Sequence, residues 1–117
     1  MNEWVVQLRK GLLELCVLNV LRRGESYGYR IVQDLKQIEE LAVTESTVYP
    51  ILNRLRRDNY LRVRAVPSNE GPPRRYYALT APGRRRAAEM YDYWRSLVEA
   101  VERLKAVNEG TTGHENR

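Results

Sequence analysis

Apolar residues near the start of the chain recur at intervals of three and four. Leu8, Leu12, Leu15 and Cys16 keep helical spacing, and Leu13, Val17, Val20 and Leu21 widen the stripe. The pattern predicts one helix from Val5 to Arg23, apolar nearly all round and so buried on several sides. Gly24 stops it after Arg22 and Arg23. A second helix is expected after Ser26 as N-cap, with Gly28, Ile31, Val32, Leu35 and Ile38 on one face and Glu39–Glu40 at its end. A third starts within Thr44–Thr47 and carries Val48, Ile51, Leu52 and Leu55 as its stripe. Pro50 disfavours a helix interior. With Thr47 as N-cap it falls at the third position, where no intrahelical partner for its N–H is needed, so a late or bent start is expected.

The period then changes to two. Leu61, Val63 and Ala65 alternate with Arg62, Arg64 and Val66, and a second run follows from Arg74 to Leu79. Between Tyr60–Val66 and that run lies Pro67-Ser-Asn-Glu-Gly-Pro-Pro73, a dense turn signal. The two runs predict a β-hairpin with a long tip. Thr80 caps a long last helix with Pro82 near its start, extending to about Asn108. The polar tail 109–117 is expected to be disordered. Three helices and a hairpin in this order predict a winged helix-turn-helix of mainly helical α+β class. The expected organisation is a winged-helix domain over 1–80, a dimerisation helix over 81–108, and the tail.

Charge sharpens this picture. The chain has 117 residues and a net charge of +5. Residues 1–43 balance 6 basic against 6 acidic groups, 44–86 hold 10 against 3, and 87–117 hold 4 against 6. The basic excess is thus confined to the third helix, the hairpin and the start of the last helix, as expected of a footprint for a polyanion. The apolar fraction of 43% suits a globular chain. Arg9, Lys10, Glu14 and Arg22 interrupt the first apolar stretch well short of the roughly 20 residues of a membrane span. No secretory signal is visible. The single cysteine, Cys16, sits among leucines and is expected to be a small core residue in a reducing, cytoplasmic setting.

The polar residues of the third helix that fall outside its stripe are Ser46, Thr47, Tyr49, Asn53, Arg54 and Arg57. Asn pairs bidentately with adenine and Arg with guanine, while Ser, Thr and Tyr reach phosphates. A solvated helix face is the plainer reading. The hairpin carries Arg62, Arg64, Arg74 and Arg75, suited to phosphate contact or to protecting a strand edge by charge. Arg84-Arg-Arg86 opens the last helix, as a phosphate contact or a solvated turn. Tyr76 and Tyr77 point to opposite faces. Along the last helix, Ala87, Met90, Trp94, Leu97, Val101 and Leu104 alternate threes and fours, with Val98 beside them. That is the seam of a coiled coil, expected to join two copies. Trp94, Met90 and Leu97 are interface packing or one wall of a cleft for a flat aromatic ligand. His114 is the only histidine and lies in the tail. There is no phosphate-binding glycine loop, catalytic set or metal-ligand spacing, so neither an enzyme nor a cofactor is expected.

Four stretches carry a resemblance. They are Gly11-Leu-Leu-Glu-Leu-Cys-Val-Leu18, Ser26-Tyr-Gly-Tyr-Arg-Ile31, Thr47-Val-Tyr-Pro-Ile-Leu-Asn-Arg-Leu55, and Arg74-Arg-Tyr-Tyr-Ala-Leu-Thr80 followed by Gly83. In this order, over roughly residues 5–105, the chain resembles the PadR family of bacterial transcriptional regulators. The resemblance implies a homodimeric repressor of the short subfamily, released from DNA by a phenolic or planar effector held near a tryptophan that Trp94 matches. Thr44-Glu-Ser46 departs from the Pro or Gly common in the family. Two rivals stand beside this reading: a winged-helix protein-interaction module and a multidrug-binding protein without operator readout.

Overall fold

The computed structural model describes residues 3–111. At the start, two helices replace the one expected: α1 (Glu3–Arg9) and α2 (Leu12–Leu21). Gly11 separates them at φ 90°, a conformation that glycine adopts without a Cβ clash. The apolar spacing runs through both, but the backbone does not. α2 buries Leu15, Val17, Leu18 and Leu21. α1 buries nothing, and Trp4 and Leu8 are exposed. Cys16 is half-buried rather than in the core, and that burial raises its thiol pKa.

Ser26 is not a helix cap. Ser26–Tyr27 form a short strand, β1, and Tyr27 caps α3 (Gly28–Lys36) with its backbone extended. α3 buries Gly28, Ile31, Val32 and Leu35 on one face. Ile38 lies beyond its end and is half-exposed, so it does not join that face. A single 3-10 turn, Glu39–Leu41, leads to α4 (Glu45–Arg57). Here Thr44, not Thr47, is the N-cap. The Thr44 carbonyl accepts from the N–H groups of Thr47 and Val48 at 3.0 and 3.1 Å. Pro50 therefore lies one turn deeper than expected, inside the helix. It supplies no N–H to the Ser46 carbonyl, and both residues are exposed, so water can satisfy that group.

Strands β2 (Leu61–Ser68) and β3 (Gly71–Leu79) are longer than the alternation predicted, and the tip is correspondingly short. Leu61↔Leu79 through Val66↔Arg74 pair in register, then Ser68↔Gly71 after a shift at Pro67, leaving only Asn69 and Glu70 in the turn. Gly71 holds φ 153° there. The prolines that suggested a long loop sit where the register slips or where the ladder ends, so their missing N–H groups cost little pairing. β1 adds antiparallel to the other side of β3, as Ser26↔Tyr77 and Tyr27↔Tyr76, giving the order β1-β3-β2. The face of the sheet bearing Leu61, Tyr77 and Leu79 closes over Leu18, Leu35, Val48, Leu52 and Leu55, all almost fully buried.

Thr80 does cap the last helix, α5 (Ala81–Thr111): its hydroxyl accepts from the Gly83 N–H at 3.0 Å. Glu109–Thr111, expected in the tail, continue this helix, and 112–117 lie outside the described residues. Contacts divide the chain into two compact units, Met1–Ala87 and Ala88–Arg117. Ala87, expected on the seam, is fully buried and belongs to the first. No helix among the described residues is long and apolar enough to cross a membrane.

Candidate nucleic-acid interface

Because Val48, Leu52 and Leu55 turn inward, the opposite line of α4 is fixed by helical geometry. That line is Ser46, Pro50, Asn53 and Arg57, all exposed. Thr47 and Arg54 lie on one flank, Tyr49 and Arg56 on the other. The six residues singled out on this helix therefore divide into three groups. Ser46, Asn53 and Arg57 face solvent together. Pro50 completes their line and was passed over as a helix breaker, although its spacing to Ser46, Asn53 and Arg57 places it there.

Arg54 has an internal task. Its Nη1 donates to Glu14 Oε1 at 2.9 Å. Arg86 Nε donates to the other oxygen of the same carboxylate at 2.8 Å, and Arg86 Nη1 to the Tyr60 hydroxyl at 3.0 Å. The Arg86 guanidinium also lies over the Tyr60 ring, 4.6 Å from its centre. Glu14 is the one charged side chain in the buried set among the described residues. One carboxylate thus ties α2 to α4 and to the first turns of α5, and it holds Arg86 more firmly in its charged form. Within Arg84-Arg-Arg86 only Arg84 and Arg85 are left on the surface. The signal for this contact was an acid inside an apolar run, but no spacing rule names its partners.

Tyr49 also packs inward. A Cβ on Gly28 would stand 2.7 Å from its ring, so the glycine is what lets α3 and α4 approach. Burial, with Glu45 nearby, pushes the Tyr49 phenol pKa up, so it stays a protonated donor.

The hairpin separates its arginines in the same way. On the sheet face away from the core, Arg64, Tyr76 and Tyr27 form a row across all three strands. Arg64 makes a two-pronged ion pair with Glu25, at 2.6 and 2.7 Å, and its guanidinium lies 5.4 Å from the Tyr76 ring centre. Tyr76 meets Tyr27 at 5.4 Å between ring centres. Arg74 closes the row, 4.6 Å over the Tyr27 ring. Tyr77, on the other face, is core. Arg62 donates to the Leu79 carbonyl at 3.4 Å. Arg74 and Arg75 meet no carboxylate among the described residues.

In the second unit, Trp94, Leu97, Val98, Val101 and Leu104 are 37 to 66% exposed, with Met90 partly so. The seam expected of α5 is thus an apolar stripe open to solvent in the single chain. No group of His, Cys, Asp and Glu suited to a metal occurs among the described residues.

The model of the PadR-like transcriptional regulator family matches residues 17–89. A PadR-like transcription factor from Bacteroides fragilis is 39% identical over 88% of this chain and 99% of its own, with a TM-score of 0.73. A PadR family regulator from Eggerthella lenta is 32% identical over 86% of this chain and 88% of its own, with a TM-score of 0.77. PadR of Bacillus subtilis, solved in complex with operator DNA, is 27% identical over 70% of this chain and 46% of its own, with a TM-score of 0.62. The family consists of transcription regulators, not enzymes, and this chain, a winged helix followed by a long C-terminal helix, belongs to it.

Proposed function

We propose that this chain is a cytoplasmic homodimeric repressor that binds a pseudo-palindromic operator in double-stranded DNA. α4 enters the major groove with Ser46, Asn53 and Arg57 toward the bases, Thr47 and Tyr49 flank it, and Arg74 and Arg75 on the hairpin meet the backbone. Arg54 contributes from the side by holding Glu14. The observation that carries this reading is the line Ser46–Pro50–Asn53–Arg57, exposed on a helix whose other face is anchored in the core. The basic excess of 44–86 supports it, as does the operator complex of the Bacillus subtilis relative. The α5 stripe of Met90, Trp94, Leu97, Val98, Val101 and Leu104 joins the two copies.

Anisotropy of a labelled mixed-sequence duplex, followed by selection of bound sites from random DNA, tests the reading. Affinity should fall steeply with salt, and the selected sites should be inverted repeats with half-sites about 34 Å apart. Salt-insensitive binding, or none, would overturn it in favour of a protein-interaction module.

The finer part concerns release. Trp94, with Met90 and Leu97 on the same side of α5, offers a flat apolar wall, and a planar aromatic molecule between two such walls is the effector. Tryptophan quenching by planar dyes should disappear in Trp94→Ala, the remaining emission coming from Trp4. Equal dye affinity in both proteins rules Trp94 out of the site.

A further inference from the structure

β1 covers β3 only as far as Tyr27↔Tyr76. Beyond that pair the chain turns into α3, and β3 continues outward from Arg75 through Arg74 and Pro73 with no paired strand on that side among the described residues. The space left at this open edge is a cleft of about 390 Å³, bounded by Tyr27 and Tyr29 of the β1–α3 junction, by Tyr49 of α4, and by Pro73, Arg74 and Arg75. Its chemistry is uniform in sign. Phenols and two guanidinium groups line it and no carboxylate does. Several arginines of the first unit are paired with carboxylates of the chain: Arg23 and Arg30 with Asp34, Arg54 and Arg86 with Glu14, Arg64 with Glu25. Arg74 and Arg75 are not. Arg74 is nevertheless held in place, because its guanidinium stacks on Tyr27, which itself packs on Tyr76. A cation fixed by stacking rather than by a carboxylate keeps its charge available and loses less side-chain freedom when an anion arrives.

We propose that this cleft is a seat for one phosphate of the DNA backbone, in which Tyr27, Tyr29 and Tyr49 act together with Arg74 and Arg75 at the junction of α4 and the hairpin. The proposal rests on the DNA-binding reading above and adds to it Tyr27, Tyr29 and a division of labour. Arg74 and Arg75 supply charge. Tyr29, more than half exposed, supplies a neutral hydroxyl donor at the rim. Tyr27 positions Arg74. Pro73 lacks an N–H and keeps the open edge of β3 from recruiting another strand. A phosphodiester suits the site because Tyr49 joins the cleft directly to the helix whose exposed line faces the bases.

Three variants and one duplex test the seat. The probe is a labelled mixed-sequence duplex of about three helical turns, titrated by anisotropy at several salt concentrations with the full chain. Arg74→Gln should lower the slope of log affinity against log salt by about one. Tyr29→Phe, which removes one exposed hydroxyl and leaves the fold intact, should weaken binding about three- to tenfold with the slope unchanged. Tyr27→Leu should weaken binding in the wild-type background but add nothing to Arg74→Gln, because it acts through that residue. If the wild type binds steeply with salt while Tyr29→Phe and Tyr27→Leu bind as well as it does, the seat is wrong and the DNA-binding reading stands. If the wild type itself does not bind the duplex, that reading fails first. Inorganic phosphate added at constant ionic strength should compete no better than chloride. Saturable competition at millimolar phosphate would overturn the assignment to DNA in favour of a free anion.

Discussion

Gly83 lies against the carbonyl of Tyr60, and a Cβ there would stand 2.0 Å from that oxygen. The same carbonyl accepts from the Thr80 N–H at 3.1 Å, and the Thr80 hydroxyl donates to the Asn59 carbonyl at 2.7 Å. Backbone must move to admit a methyl group, so Gly83→Ala should destabilise the fold by about 3 kcal/mol, measured by denaturant unfolding; a midpoint like that of the wild type would show that the corner yields to a methyl group at little cost. Glu14→Gln keeps the shape of the side chain but removes the charge shared by Arg54 and Arg86. Both arginines are partly solvated, so a loss of about 1–2 kcal/mol is expected rather than the larger cost of a fully buried pair. Glu25 gives the pH dependence its sign. Its hydrogen bond from Arg64 lowers the carboxyl pKa below the ordinary value of 4.5. The ion pair therefore contributes above pH 4.5 and is lost as pH falls through the lowered folded value. The melting temperature of the wild type should exceed that of Glu25→Gln at neutral pH, and the two should converge in acid. At this scale the residue types pointed the right way for Thr80 and for the Tyr76–Tyr77 alternation. Arg54 was legible as a polar position outside the apolar stripe, but its partner is 40 residues away in sequence, and no local pattern carries that.

The elements were legible wherever a period ran unbroken, as in α3, α4, α5 and the inner half of the hairpin. Each misreading came from a residue whose usual meaning was overridden by its own backbone conformation or by a neighbour in space. Gly11 broke a continuous apolar stripe through its backbone angle alone. Ser26 and Tyr27 became a strand because β3 offered an edge, which two residues could not announce. The hairpin prolines signalled a loop and proved to lie at a bulge and beyond the reach of β1. Pro50 is the sharpest case, because it lies deep inside the helix instead of in its first turn. An interior proline costs helix stability through its missing N–H and its ring, so under the proposed function its presence on the exposed line of α4 sets function against stability. Pro50→Ala should raise stability by about 1–3 kcal/mol, since it restores an N–H toward the Ser46 carbonyl. The same variant should weaken operator binding if the ring contacts the duplex. A variant no more stable than the wild type would mean that α4 is already distorted elsewhere.

For the molecule as a whole, the decisive quantity under the proposed function is the distance between two copies of α4. One such helix would read only a half-site, and a few base contacts at about 1–3 kcal/mol each select poorly among the sites of a genome. Two copies at fixed spacing multiply that selectivity, provided that something rigid joins them. The α5 stripe is suited to do so. Leu97, Val101 and Leu104 are 44, 61 and 66% exposed in the single chain, and a helix with its apolar side in water is covered most simply by its own copy about a two-fold axis. The threes-and-fours spacing was visible in the sequence, whereas the extent of its exposure was not, because exposure depends on what the rest of the fold can cover. Sedimentation at micromolar concentration should therefore give about twice the 13.7 kDa mass of the chain. Leu97→Asp with Val101→Asp places two charges on the stripe of each copy and should give a folded monomer, since neither side chain belongs to the core of the first unit. That monomer should retain salt-dependent binding to any duplex, because Arg74 and Arg75 remain, but lose its preference for the paired half-sites. A double variant that stays dimeric would move the interface off this stripe. A monomeric variant with full operator preference would show that one copy of α4 and its hairpin suffice.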